Sequence, residues 1–286
     1  MKVLVTGVKG QLGYDVVNEL NKRNHIAIGT DIEEMDITNE EFVNYFILSE
    51  NPDAVIHCAA WTAVDAAEME ENRETVYRIN VNGTKNIVNI CEKIGCKMMY
   101  ISTDYVFNGQ GSEPWQPDCK EYAPLSVYGQ TKLEGEIEVS SVLEKFFIVR
   151  IAWVFGYNGR NFIKTMLELS EKHDELRVVS DQIGTPTYTV DLARLLVDMI
   201  ETDKYGYYHA TNEGGYISWA DFAIEIFKQK GKRTKVRPVT TVEYGISKAK
   251  RPLNSRLDKR KLLVNGFKPL PSWQDALERY LKTLEK

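Results

Sequence analysis

The chain has 286 residues, 43% of them hydrophobic and 27% charged, with a net charge of −5. This is the composition of an ordinary globular protein, and its acidic balance argues against a nucleic-acid partner, whose phosphates require a basic face. No apolar run approaches the ~20 residues that span a bilayer, so no membrane partner is expected. Four scattered cysteines without a C-x-x-C pair, and four histidines, predict free thiols, no metal site and a reducing cytoplasm.

The chain enters a strand at once, with no apolar leader before a cleavage site, which also points to a cytoplasmic protein. Strands are predicted at Lys2–Val5, Ile26–Thr30, Ala54–Cys58, Lys97–Ser102 and Phe146–Ile151. Helical patterns lie between them at Gln11–Arg23, Glu40–Ser49, Arg73–Lys93 and Leu125–Leu143. Strands alternating with helices imply crossover units and a parallel sheet covered on both faces. After Ile151 the pattern loosens. Helices are predicted at Phe162–Lys172, Val190–Glu201, Trp219–Lys230 and Ser272–Glu285, with short strands at Arg177–Val179 and Tyr207–Ala210. Thr211–Tyr216 and Val236–Asn254 read as loops. The expectation is an α/β chain with a doubly wound parallel sheet over 1–151 and a smaller C-terminal substrate lobe over 152–286, some of whose elements return to the main sheet.

The first motif is Thr6-Gly7-Val8-Lys9-Gly10-Gln11-Leu12-Gly13, between a strand and an amphipathic helix. Glycine permits a tight turn and close approach of backbone to phosphate. The helix start offers free N–H groups and partial positive charge to a pyrophosphate. An acidic residue about 20 positions on should bind the adenosine ribose. Asp31 ends the second strand and fits. A carboxylate there accepts from both ribose hydroxyls and repels a 2′-phosphate, so NADH is favoured, with NADPH admitted if Asp31 moves. Asp36-Ile37 follow and can meet the adenine edge. The third strand ends in His57-Cys58-Ala59-Ala60-Trp61-Thr62, where small residues let a cofactor lie against backbone. His57, inside the apolar strand, reads as a core residue.

The second motif is Tyr128-Gly129-Gln130-Thr131-Lys132. Tyr128 and Lys132 are i and i+4 and share a helix face. A free phenol has a pKa near 10. A nearby ammonium stabilises the phenolate, which brings the group closer to the operating pH of a general acid. Ser102-Thr103 at the fourth strand end can hold a carbonyl while Tyr128 protonates it.

The chain resembles the extended short-chain dehydrogenase/reductases and, within them, the dTDP-4-dehydrorhamnose reductases. The markers are the glycine loop, Ala59-Ala60-Trp61-Thr62-Ala63-Val64-Asp65, Ser102-Thr103-Asp104-Tyr105-Val106-Phe107 and Pro124–Lys132. Further on come Arg150-Ile151-Ala152-Trp153-Val154-Phe155-Gly156, Asp181-Gln182-Ile183-Gly184-Thr185-Pro186-Thr187 and Arg251-Pro252-Leu253-Asn254-Ser255. The resemblance implies a Rossmann-type fold and reduction of a nucleotide 4-keto-sugar, with a homodimer compatible. It implies that Thr103, Tyr128 and Lys132 are catalytic, with Tyr128 and Lys132 also on the cofactor. Gly7, Gly10, Gln11 and Leu12 would line the pyrophosphate, and Ala59, Ala60 and Thr62 the adenosine and ribose side. Asn80 would support the active site from its helix and is counted with the cofactor residues. Asp104 joins Thr103 on the substrate, Trp153 packs on the sugar and Arg251 pairs with the nucleotide diphosphate, which suits its planar fork.

Two departures from related patterns matter. Ala152 stands where many relatives have serine or threonine. Similar dehydratases follow the active-site threonine with Asp and Glu, whereas here Asp104 is followed by Tyr105, which argues against dehydration. Two alternatives remain: another nucleotide-sugar epimerase or reductase, and a non-catalytic nicotinamide-binding subunit like the regulatory subunit of methionine adenosyltransferase.

Overall fold

The structure, a computed structural model, describes residues 1–285. Strand β1 (Lys2–Thr6) leads into helix α1 (Gln11–Lys22), followed by β2 (Ile26–Thr30), α2 (Glu40–Glu50) and β3 (Ala54–His57). Next come α3 (Val64–Ala67), α4 (Glu70–Tyr77), a π-helical stretch at Arg78–Asn82, α5 (Gly83–Ile94), β4 (Lys97–Thr103), α6 (Val127–Val142) and β5 (Phe146–Ile151). The second half holds β6 (Val154–Phe155), α7 (Phe162–Ser170), β7 (Glu175–Val179), β8 (Ile183–Gly184), β9 (Thr187–Tyr188) and α8 (Thr189–Ile200). It ends with β10 (Gly206–His209), β11 (Ile217–Ser218), α9 (Trp219–Gln229), β12 (Lys235–Val239), α10 (Thr241–Tyr244), α11 (Arg260–Val264) and α12 (Trp273–Thr283).

Six strands form one parallel sheet in the order β10-β5-β4-β3-β1-β2. Period-two alternation in β1 explains its two-sided burial. Val3 and Val5 face the cluster that includes Leu12, Val16 and Leu20 of α1 and Leu192, Leu195 and Leu196 of α8. Leu4 faces the opposite cluster, with Val43 and Ile47 of α2, Ile87 and Val88 of α5 and Val139 of α6. The chain leaves β1 toward β2 on one side and returns to β3 on the other. That reversal opens a crevice beyond the carboxyl ends of β1 and β3, where such sheets take ligands. A separate core of Phe155, Ile163, Tyr188, Phe222, Trp273 and Tyr280 organises much of the second half, while β10 pairs with β5 of the main sheet.

Besides short elements such as α3, β6, β8, β9 and β11, which the sequence pattern does not announce, three regions differ from the sequence expectation. The helix expected over Arg73–Lys93 is α4 and α5 joined through the π-helical stretch; such insertions are frequent at functional sites, and this one carries Asn80. The loop expected at Val236–Asn254 contains β12, paired in parallel with β7, and the short helix α10 with a Thr240–Glu243 capping box. Pro238 lowers the strand signal, yet β12 has only one partner and its other edge can tolerate a missing N–H. Helix α11 lies where no helix was predicted. Among the described residues no helix is long and apolar enough to cross a membrane.

Candidate active site

A cleft of about 690 Å³ opens at that crevice. Its floor is the glycine loop. Gly7 has φ +71°, and a Cβ there would stand 2.8 Å from the Ala59 backbone nitrogen, so only glycine lets β1 and β3 approach this closely. A Cβ on Gly13 would collide with the Gly7 carbonyl oxygen. Helix α1 begins at Gln11 with no acidic residue in its first turn and no side chain on its free N–H groups, which leaves that end available to an anion. Gly7, Gly10, Gln11 and Leu12 all line the cleft, as do Ala59, Ala60 and Thr62 beyond β3.

Asp31, Asp36 and Ile37 line one end of the cleft. The Lys9 backbone N–H donates to Asp31 Oδ2 at 3.0 Å, and Ile32 N–H donates to Oδ1 at 2.9 Å. The carboxylate is therefore held against the glycine loop. Asp36 Oδ1 accepts from the Thr38 N–H and hydroxyl, at 2.9 and 2.8 Å, which shapes the turn at this end of the cleft. His57 is buried between Thr6 Oγ1 at 2.7 Å and Thr84 Oγ1 at 3.2 Å. Burial, reinforced by Lys132, pulls its imidazole down to about 3, so it is a neutral core group as expected.

Thr103, Asp104, Tyr128, Lys132 and Trp153 line the same cleft. Thr103 ends β4, and its hydroxyl donates to Asp104 Oδ1 at 3.1 Å. Ser126 caps α6 by accepting from the Gly129 N–H at 3.1 Å, which sets Tyr128 and Lys132 on the first turns of that helix. Burial holds the Tyr128 phenol well above its ordinary value, with Thr103 opposing and Asp104 reinforcing the shift. The Lys132 ammonium lies 4.0 Å over the centre of the Tyr100 ring. Burial brings it down to about 7, against the pull of Glu136 and Cys58. Desolvation thus outweighs any lowering of the Tyr128 phenol by Lys132 in the chain alone. Asp104 Oδ2 is buried and without a hydrogen-bond partner, and burial raises its carboxyl to about 6 despite Ser255 and Thr103. A buried acceptor aimed into a cleft is suited to a ligand hydroxyl.

Two expected contacts fall outside the cleft wall. Asn80 is buried in the layer behind: its side chain accepts the Trp61 N–H at 2.8 Å and donates to Thr131 Oγ1 at 3.0 Å. It fastens the loop after β3 to α6 and touches no cleft surface. Arg251 is engaged by Asp65, through Nη1–Oδ1 at 3.1 Å and Nη2–Oδ2 at 2.6 Å, so its fork is already filled. Sequence reasoning passed over Trp219, Tyr105 and Arg160, which also line the cleft. Tyr105 meets Tyr128 edge-on at 5.6 Å, in the position where similar dehydratases carry glutamate. Ala152 spends only backbone, its carbonyl accepting from Thr187 Oγ1 at 2.6 Å. Among the described residues no group of three or more His, Cys, Asp or Glu side chains could hold a metal ion. The glycine cradle and open helix end fit a dinucleotide.

The model of the RmlD substrate binding domain family matches residues 1–286. The chain is 39% identical to a dTDP-4-dehydrorhamnose reductase of Aggregatibacter actinomycetemcomitans, over 97% of each protein. It superposes on the crystal structure of a dTDP-4-dehydrorhamnose reductase from Clostridium acetobutylicum ATCC 824 with TM-score 0.95, 44% identity and full coverage of both chains. A Bacillus anthracis str. Ames dTDP-4-dehydrorhamnose reductase, solved in complex with NADP, gives TM-score 0.93 and 40% identity, again over both full chains. The chain belongs to the RmlD substrate binding domain family, that of the dTDP-4-dehydrorhamnose reductases.

Proposed function

We propose that this protein is a cytoplasmic reductase that converts dTDP-4-dehydro-L-rhamnose to dTDP-L-rhamnose with a reduced nicotinamide cofactor. The observation that carries this reading is the convergence of Thr103, Tyr128 and Lys132 with the glycine cradle in one cleft, in a chain of this family. When bound, the cofactor supplies hydride to the C4 carbonyl carbon. Tyr128 gives its proton to the carbonyl oxygen, as a neutral phenol can at physiological pH. Thr103 holds that oxygen by a hydrogen bond. Lys132, titrating near 7, carries a proton one helix turn from Tyr128 and reaches the nicotinamide ribose. Asp104 accepts from a sugar hydroxyl, and Trp153 supplies the apolar wall for the ring.

Gly7, Gly10, Gln11 and Leu12 take the pyrophosphate, while Ala59, Ala60 and Thr62 lie along the adenosine and ribose. Asp31 takes the adenosine ribose hydroxyls, which favours NADH, with NADPH as the alternative. Residues 1–151 act mainly on the cofactor and 152–286 mainly on the nucleotide sugar. The test is loss of reduced-nicotinamide absorbance against a panel of nucleotide 4-keto-sugars. Oxidation that requires the dTDP 4-keto-6-deoxy sugar is the expected result. Cofactor binding without oxidation of any panel member would mark a non-catalytic binding protein instead.

A further inference from the structure

Trp153 has φ +51°, a left-handed backbone that is an outlier for a bulky side chain. Such strain persists only where the surroundings over-determine it. The Trp153 carbonyl accepts the Thr187 N–H at 3.1 Å, and the next two residues enter β6, paired with β9. The indole itself is held by two neighbours. Its ring stacks on Trp219 with centroids 3.8 Å apart and planes 16° from parallel. Gly184 also borders the ring and leaves room that no other residue would: a Cβ there would lie 2.9 Å from Trp153 Cε2 and 3.1 Å from Cζ2. One small sheet supplies both features. In the antiparallel pair β8–β11, Gly184 lies opposite Ile217, two residues before Trp219. The same β8 segment binds the loop after Arg251 through Ile183, whose N–H donates to the Leu253 carbonyl and whose carbonyl accepts the Ser255 N–H, both at 2.8 Å.

We infer that Trp219 and Gly184 are positioning residues that hold the Trp153 ring in its strained place, and so set how tightly the keto-sugar is bound. The inference rests on the functional reading above. Trp219 supplies the stacking face and Gly184 the vacancy, so either change lets the ring swing without touching the proton donor or the glycine cradle.

The experiment uses the full chain with Trp219→Leu, Trp219→Phe and Gly184→Ala. Two readouts are taken: steady-state kinetics with the dTDP 4-keto-sugar, and far-ultraviolet circular dichroism, in which the strong transitions of two stacked indoles couple and give an exciton couplet. Trp219→Leu and Gly184→Ala should raise the KM for the keto-sugar roughly tenfold or more, the scale of a disturbed apolar pocket. The KM for the nicotinamide should stay within about twofold. Trp219→Phe, which keeps an aromatic face, should bring the sugar KM back toward the parent value. Loss of the couplet with an unchanged sugar KM would overturn the inference and leave the reductase reading intact. An intact couplet in Gly184→Ala would also overturn it, since the added methyl would then not displace the ring. Failure of the parent protein to oxidise cofactor with any 4-keto-sugar would overturn the functional reading instead.

Discussion

Arg251 and Asp65 are 186 positions apart and form a bidentate ion pair, at 3.1 and 2.6 Å, that joins the loop before Ser255 to the start of α3. The Ala249 N–H donates to the same Asp65 oxygen at 3.0 Å. Arg251, helped by Ala249, holds the Asp65 carboxyl below the usual carboxylate range against partial burial. Asp65 thus fills the fork that a diphosphate would need. If a bound diphosphate displaces Asp65 from this fork, Arg251→Lys weakens dTDP binding by about 1.5–3 kcal/mol, the worth of a charge-assisted hydrogen bond; an unchanged affinity would leave Arg251 as a partner of Asp65 alone. Asp65→Asn should strengthen it by relieving the competition. Calorimetric titration of dTDP decides both. Weaker binding in Asp65→Asn would mean that the carboxylate aims the fork instead of blocking it.

Tyr128→Phe keeps the ring against Tyr105 and removes only the hydroxyl. We expect kcat to fall roughly 10²–10⁴-fold, the scale of a lost general acid, with the cofactor Kd unchanged. Turnover near that of the parent would remove Tyr128 from the proton-donor role.

Asp104 predicts a pH-dependent stability. Its carboxyl rises on folding from 3.8 to about 6, chiefly through burial. A raised folded pKa contributes stability that is complete below the unfolded value and is lost as pH rises through the folded one. The window is therefore about pH 4 to 6, and the full loss is on the order of 3 kcal/mol. Asp104→Asn cannot ionise, so its stability relative to the parent should grow across this window. Chemical denaturation of the nucleotide-free protein at several pH values measures the difference. Parallel pH profiles for the two proteins would refute the assignment.

Asp31→Ala removes the carboxylate held by Lys9 N–H at 3.0 Å and with it the repulsion of a 2′-phosphate. The ratio of kcat/KM for NADH over NADPH should drop, by narrowing or reversing. A parent protein that strongly prefers NADPH would refute the role given to Asp31.

Beneath the site, Arg150 and Glu136 are fully buried and paired, Nε–Oε1 at 2.8 Å and Nη2–Oε2 at 2.6 Å. The Ser102 hydroxyl also donates to Glu136, so the pair fastens β5 and α6 to the end of β4. Glu136→Ala leaves a buried guanidinium without its counter-charge and should cost about 3–5 kcal/mol of stability. A shift in the urea midpoint corresponding to under about 1 kcal/mol would show that Tyr122, which accepts from Arg150 Nη2 at 2.9 Å, and the Pro117 carbonyl, which accepts from Nη1 at 3.1 Å, suffice.

What the sequence by itself determined was local or periodic. The alternation of strands and helices, the glycine loop before α1, and the spacing of Tyr128 and Lys132 are short-range patterns. Each has a direct backbone consequence: a crossover unit, a tight turn, a shared helix face. The tertiary structure decided whatever depends on partners distant in the chain. It closed Arg251 on Asp65, placed Lys132 over Tyr100, set Asn80 behind the cleft wall and brought Trp219 and Gly184 around Trp153. It also made a strand of Lys235–Val239 by giving it β7, sixty residues earlier, to pair with. The physical reason is that periodicity reports which face of an element is apolar, whereas desolvation, ring stacking and ion pairing depend on which distant side chains the fold packs beside it.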